Sequence, residues 1–89
     1  MRVPAIQLTF VSKPDCHLCE TAREVVDGVV AELGSATSVE VEELSILDHP
    51  DLYEKYVEEI PVVLIDGKVH NIWRIDPTRL KNALLEASE

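Results

Sequence analysis

The sequence predicts a mixed α/β domain of element order βαβαββα, with a four-stranded mixed sheet and helices on both of its faces. Three observations predict it. Ile6 to Val11 and Val39 to Leu44 alternate apolar and polar residues at the period of a half-buried strand. Apolar residues recur at helical spacing from Leu18 to Leu33, from Leu52 to Tyr56 and from Leu80 to Ala87. The apolar run Val62-Val63-Leu64-Ile65 ends in Asp66-Gly67, a two-residue turn whose twist suits an antiparallel hairpin.

Each element follows in order. The first strand is rich in β-formers and is broken by Ser12, Lys13, Pro14 and Asp15. In the long helix, Leu18, Ala22, Val25, Val26, Val29, Val30 and Leu33 form one apolar stripe. Glu20 and Glu24 lie early, where acids suit the helix dipole, and Gly34 ends the helix as a left-handed cap. Val25, Val26, Val29 and Val30 are weak helix formers, so packing must hold this helix. The second strand, Val-Glu-Val-Glu-Glu-Leu, slips once in its alternation. Asp48, His49 and Pro50 open a short helix from Asp51 to about Val57, with Leu52, Tyr53 and Tyr56 turned inward. Pro61 opens the continuous apolar run, which reads as a central strand covered on both faces. Lys68 to about Trp73 returns antiparallel, and Asp76-Pro77 caps the last helix, whose stripe is Leu80, Ala83, Leu84 and Ala87. Both βαβ links predict right-handed crossovers between parallel strands.

The chain of 89 residues has room for a single domain spanning 1–89 and a thin core. With 46% hydrophobic residues, 28% charged residues and 3 glycines, its composition excludes disorder, collagen and low-complexity linker. The longest uncharged apolar run, Ile60 to Ile65, falls far short of the roughly 20 residues that span a bilayer. A net charge of −9 repels phosphate backbones and anionic lipid, so neither nucleic acid nor membrane is an expected partner. The acids concentrate from Glu40 to Glu59, a solvated face or a dock for a basic partner. Gln7 and Thr9 interrupt the opening apolar stretch, so it does not read as a secretory signal. A cytoplasmic monomer is therefore expected. In that reducing compartment two cysteines read as reactive or metal-binding, not as a structural staple.

Cys16-His17-Leu18-Cys19 carries the chemistry, because it lies where the first strand gives way to the long helix. There the free backbone N–H groups and the positive dipole end favour thiolate over thiol, and Lys13 adds a cation. The three-residue offset places Cys19 one turn deeper on the same face. Cys16 is thus the candidate attacking thiol and Cys19 the candidate resolving thiol. Two other readings stand beside this one. The motif is half of a zinc site, for which His17, His49 and His70 form no second paired cluster, or the two cysteines are inert core residues. Pro61 is tolerated at the first residue of a buried strand. A cis Ile60–Pro61 bond would leave the Ile60 N–H and C=O free beside Cys16 to pair with an extended substrate.

These features together resemble the thioredoxin superfamily, and within it the small glutaredoxin-like proteins. The stretch Phe10-Val11-Ser12-Lys13-Pro14-Asp15-Cys16-His17-Leu18-Cys19 is similar to their opening strand and active-site loop. Ile60-Pro61-Val62-Val63 with Asp66-Gly67 is similar to their cis-proline strand and hairpin. The likeness covers nearly the whole chain. It implies the thioredoxin-like fold, a cis Ile60–Pro61 bond and thiol–disulfide oxidoreductase activity. It further implies Cys16 as nucleophile, Cys19 resolving and Lys13 assisting the thiolate; the candidate substrate-side residues are Lys13, His17, Ile60 and Pro61. It implies disulfides of proteins or small molecules as substrates and no bound cofactor, glutathione entering as a co-substrate. The chain departs from that family in having His17-Leu18 between the cysteines and no Gly-Gly in Val69 to Asp76. The alternative class is a binding module, either a metal or cluster carrier or a redox-silent adaptor. Of the remaining candidates, a protonated His17 would favour thiolate. Trp73 closes the sheet edge or faces substrate, and Arg74 is a solvated charge or a carboxylate ligand.

Overall fold

The computed structural model describes residues 5–34 and 37–87; Met1 to Pro4, part of the stretch judged for a leader, lies outside them. Seven elements appear: β1 (Ile6–Ser12), α1 (His17–Leu33), β2 (Val39–Ser45), α2 (Pro50–Tyr56), β3 (Val62–Ile65), β4 (Lys68–Ile72) and α3 (Pro77–Ala87). They build one four-stranded sheet of order β2-β1-β3-β4. Among the described residues no helix is long and apolar enough to cross a membrane.

Alternation in β1 separates two cores. Ile6, Leu8 and Phe10 face α1 and α3, joined by Ala22, Val26, Val29, Leu33, Leu80 and Leu84. Val11 faces the other way and packs with Ile46, Tyr56, Ile60 and Val62 beneath α2. Helices therefore cover both faces, as the sequence predicts.

The second crossover differs from the sequence reading. β1 and β2 are parallel, but β3 runs antiparallel to β1, with Val11 opposite Val62. Helix length explains this. The 17 residues of α1 span about 25 Å, enough to return the chain along a seven-residue strand of about 23 Å. The 7 residues of α2 span about 10 Å, so the chain stays at the end of the sheet where β2 finished and enters β3 from there.

Three local expectations also change. The buried line of α1 begins at Cys19 and continues through Ala22, Val26, Val29 and Leu33, whereas Leu18 is 46% exposed. Leu18 sits on the flank of that line in the first turn, and the flanking Val25 and Val30 are likewise only half-buried. Tyr56 is buried and Tyr53 exposed, because one narrow face of so short a helix meets the sheet. Gly34 ends α1 at φ 54 and ψ −133, outside the left-handed helical region, in backbone space that a side chain would strain. Asp66 (φ 49) and Gly67 (φ 84) both have positive φ, which makes the expected twist-matched turn. Asp76 Oδ1 accepts the N–H groups of Thr78 at 2.8 Å and Arg79 at 3.1 Å, capping α3.

Candidate functional site

The first helix starts on a sulfur atom. Asp15 takes φ 56, a left-handed conformation that Asp tolerates, and turns the chain after Pro14. Cys16 follows in extended backbone (φ −119, ψ 110) as the N-cap of α1. Its Sγ accepts the Cys19 N–H at 3.2 Å, and its carbonyl accepts the Glu20 N–H at 3.1 Å. A sulfur thus holds the place that a Ser or Asp oxygen usually fills, facing the unpaired N–H groups and positive end of the helix.

The two cysteines are unpaired and lie in different surroundings: Cys16 is half-buried, Cys19 only 1% exposed. Burial pushes the Cys19 thiol up to about 11 from an ordinary 9.0, and its hydrogen bond to Cys16 adds to the rise. A backbone hydrogen bond from Lys13 and the Arg23 charge pull the other way. Cys19 is therefore a neutral thiol at neutral pH. It sits directly beneath a sulfur that receives hydrogen bonds from it.

The other residues singled out in the sequence fall as follows. The contact Lys13 makes here is through its backbone, to Cys19, while its side chain is exposed. His17 is fully exposed, its Nδ1 3.6 Å from the Glu20 carboxylate. With Asp15 and Glu20 it lines a shallow groove of about 200 Å³. Ile60 and Pro61 are buried, and the bond between them is cis. Because Val62 opposes Val11, they sit at the sheet end from which Lys13 to Cys16 also departs. Among the described residues no hydrogen bond takes up the Ile60 N–H or C=O. Trp73 stands just beyond β4 at φ 61, and its ring is exposed. Its backbone N–H bonds the Pro61 carbonyl at 2.8 Å, and its Nε1 donates to the Glu58 carbonyl at 3.1 Å. Arg74 is exposed.

Sequence reasoning missed one cluster beside the cysteines. Arg23 makes a forked pair with Glu43, Nε to Oε1 at 2.8 Å and Nη2 to Oε2. The buried Ser12 Oγ donates to the same carboxylate at 2.9 Å. The guanidinium also lies over the Phe10 ring, 5.8 Å from its centre. Arg23 holds the Glu43 carboxyl below its ordinary 4.5, with Ser12 helping and burial opposing. The available signal was the slip in the β2 pattern, which puts an acid, Glu43, in register with Phe10 on the α1 side, and the four-residue step from Cys19 to Arg23. The larger groove, about 360 Å³ between the β4 hairpin and α3, lies at the opposite end of the sheet and is lined by no cysteine. Among the described residues no group of His, Cys, Asp and Glu is gathered to hold a metal ion.

This order of strands and helices, with a sulfur at the cap of α1 and a cis-proline strand beside it, defines a small thioredoxin-superfamily protein. The chain belongs to the glutaredoxin-like domain family (DUF836), whose model matches residues 7–85. It is similar to a thioredoxin of Methanocaldococcus jannaschii, 32% identical over 92% of this chain and 91% of that one. A glutaredoxin-like protein of Dictyostelium discoideum is 30% identical over 85% of this chain and 72% of the relative. A solved thioredoxin from Halobacterium salinarum superposes with a TM-score of 0.70 at 19% identity, covering 94% of this chain and 75% of its own. That last likeness is one of fold.

Proposed function

We propose that this protein is a dithiol thiol–disulfide oxidoreductase acting on protein or small-molecule disulfides. The observation that carries the reading is the capping sulfur of Cys16, with a protonated Cys19 thiol held one turn beneath it. The Cys16 thiolate attacks one sulfur of the substrate disulfide. A mixed disulfide forms on Cys16 as the first substrate thiolate departs, and Cys19 then sheds its proton to solvent. The Cys19 thiolate then attacks Cys16, and the second substrate thiolate leaves. The substrate disulfide gains two electrons, and the Cys16–Cys19 pair loses them. Lys13 brings a positive charge to the loop before the attacking sulfur, and the exposed His17 next to that sulfur meets the incoming substrate. The free Ile60 N–H and C=O pair with an extended substrate segment as a short added strand. Glutathione, as co-substrate, returns the pair to the dithiol, and the protein works as a cytoplasmic monomer.

Turnover of a small disulfide and of a protein disulfide, with glutathione as reductant, tests this. Cys16→Ser lowers turnover to the uncatalysed background. Cys19→Ser leaves the substrate attached to Cys16, visible as a mass increase. Undiminished turnover in Cys16→Ser would refute the assignment.

A further inference from the structure

The cluster of Arg23, Glu43 and Ser12 has no part in the first attack, yet its Arg23 stands one helical turn beyond the second cysteine. Arg23 lies four residues after Cys19, the spacing that makes two side chains neighbours on a helix surface. It is 42% exposed and would be free to extend into water. Instead Glu43 grips it from β2 and the Phe10 ring supports it from β1. Glu43 in turn holds Ser12, the residue before Lys13, whose backbone reaches the Cys19 sulfur. One carboxylate therefore ties together the charge and the backbone segment nearest Cys19.

We propose that Arg23, pinned by Glu43, is a positioning residue for the second step, where its guanidinium supports the negative charge Cys19 acquires as it attacks Cys16. This rests on the oxidoreductase reading above. In that step Cys19 gives its proton to solvent as its sulfur attacks. The Cys16–Cys19 bond then forms, and the bond from Cys16 to the substrate sulfur breaks with its electron pair. A buried sulfur must carry a full charge at that moment, and burial opposes it. The ionisable groups acting on Cys19 are Cys16, which opposes its ionisation, and Arg23, which favours it. Asp27 and Glu43 act on Arg23. The buried core that includes Cys19 draws apolar residues from β1, β3 and α3, among them Phe10, Val63 and Leu80. Arg23 is thus the cation whose charge acts on this sulfur.

The test uses the reduced full chain and a limiting amount of dithiobis(nitrobenzoate). Attack by Cys16 releases one coloured thiolate, and resolution by Cys19 releases the second, so the slower phase reports the second step across pH. Arg23→Gln slows that phase about tenfold on its rising limb and moves the profile up by about one pH unit. The first phase keeps its rate. Arg23→Lys restores the slow phase to within about twofold, because it keeps the charge. A wild-type chain that gives only the first release defeats the oxidoreductase reading. A wild-type second phase that Arg23→Gln leaves unchanged, or that Arg23→Lys fails to restore, defeats the role of Arg23 alone. Loss of the folded circular dichroism spectrum in Arg23→Gln would make Arg23 a structural residue and overturn the proposal.

Discussion

On one face of the sheet α1 runs the length of β1 and, with α3, buries Leu8, Phe10, Val26, Leu80 and Leu84 completely or nearly so. On the other face α2 has 7 residues and covers a smaller group around Val11, Ile46, Tyr56 and Val62. The first arrangement gives rigidity to the helix whose N-terminus carries the sulfurs. The second keeps the chain at one end of the sheet and delivers Ile60–Pro61 there. Stability thus rests on the long-helix face, and access to the site depends on the short one.

Truncation on each face is the strongest way to break that contrast. Phe10→Ala should cost about 3–5 kcal/mol, which in so small a domain lowers the melting temperature by tens of degrees or prevents folding. Ile46→Ala, under α2, should cost about 2–3 kcal/mol. An equal or reversed order in denaturant melts would mean that the α2 face holds the fold. Removing the α3 cap with Asp76→Ala should cost about 1 kcal/mol, since two first-turn N–H groups lose their acceptor. No loss on chemical denaturation would show that α3 is fixed by Leu80 and Leu84 alone. The last effect comes from alkali. The folded chain holds the Cys19 proton more tightly than the unfolded chain does. That contribution is complete below the ordinary value of 9.0 and is lost as pH rises toward about 11. Reduced wild type should therefore lose stability across this window more steeply than Cys19→Ala, in denaturation midpoints taken at each pH.

The sequence was most legible where one local rule acts alone. Asp66-Gly67 needs two positive φ values, and Asp76-Pro77 needs a side-chain cap, and each residue pair states its own geometry. The placement of Cys16 at the helix start was equally plain from the breakers Pro14 and Asp15 ahead of it. Strand direction was not legible in the same way. Val62 to Ile65 show that a strand is covered on both sides, and a covered strand reads alike in either direction. The length of α2 held the answer, since it is too short to return along the sheet. Trp73 gave no warning of its φ of 61, because a bulky aromatic is among the residues least suited to that region. Its position is set from outside, by the Pro61 and Glu58 carbonyls. The Arg23–Glu43 pair was hidden for a related reason: it joins a helix to an edge strand 20 residues away, and only the parallel register of β1 and β2 brings them together.

The central claim is that two sulfurs three residues apart differ in character, one a capping, reachable atom and the other a buried neutral thiol. Iodoacetamide labelling of the reduced chain, with each cysteine followed by peptide mass across pH, reads this directly. The expected result is labelling of Cys16 alone at neutral pH, with Cys19 joining only as pH approaches about 11. Equal labelling of both at neutral pH, or labelling of Cys19 first, would contradict it.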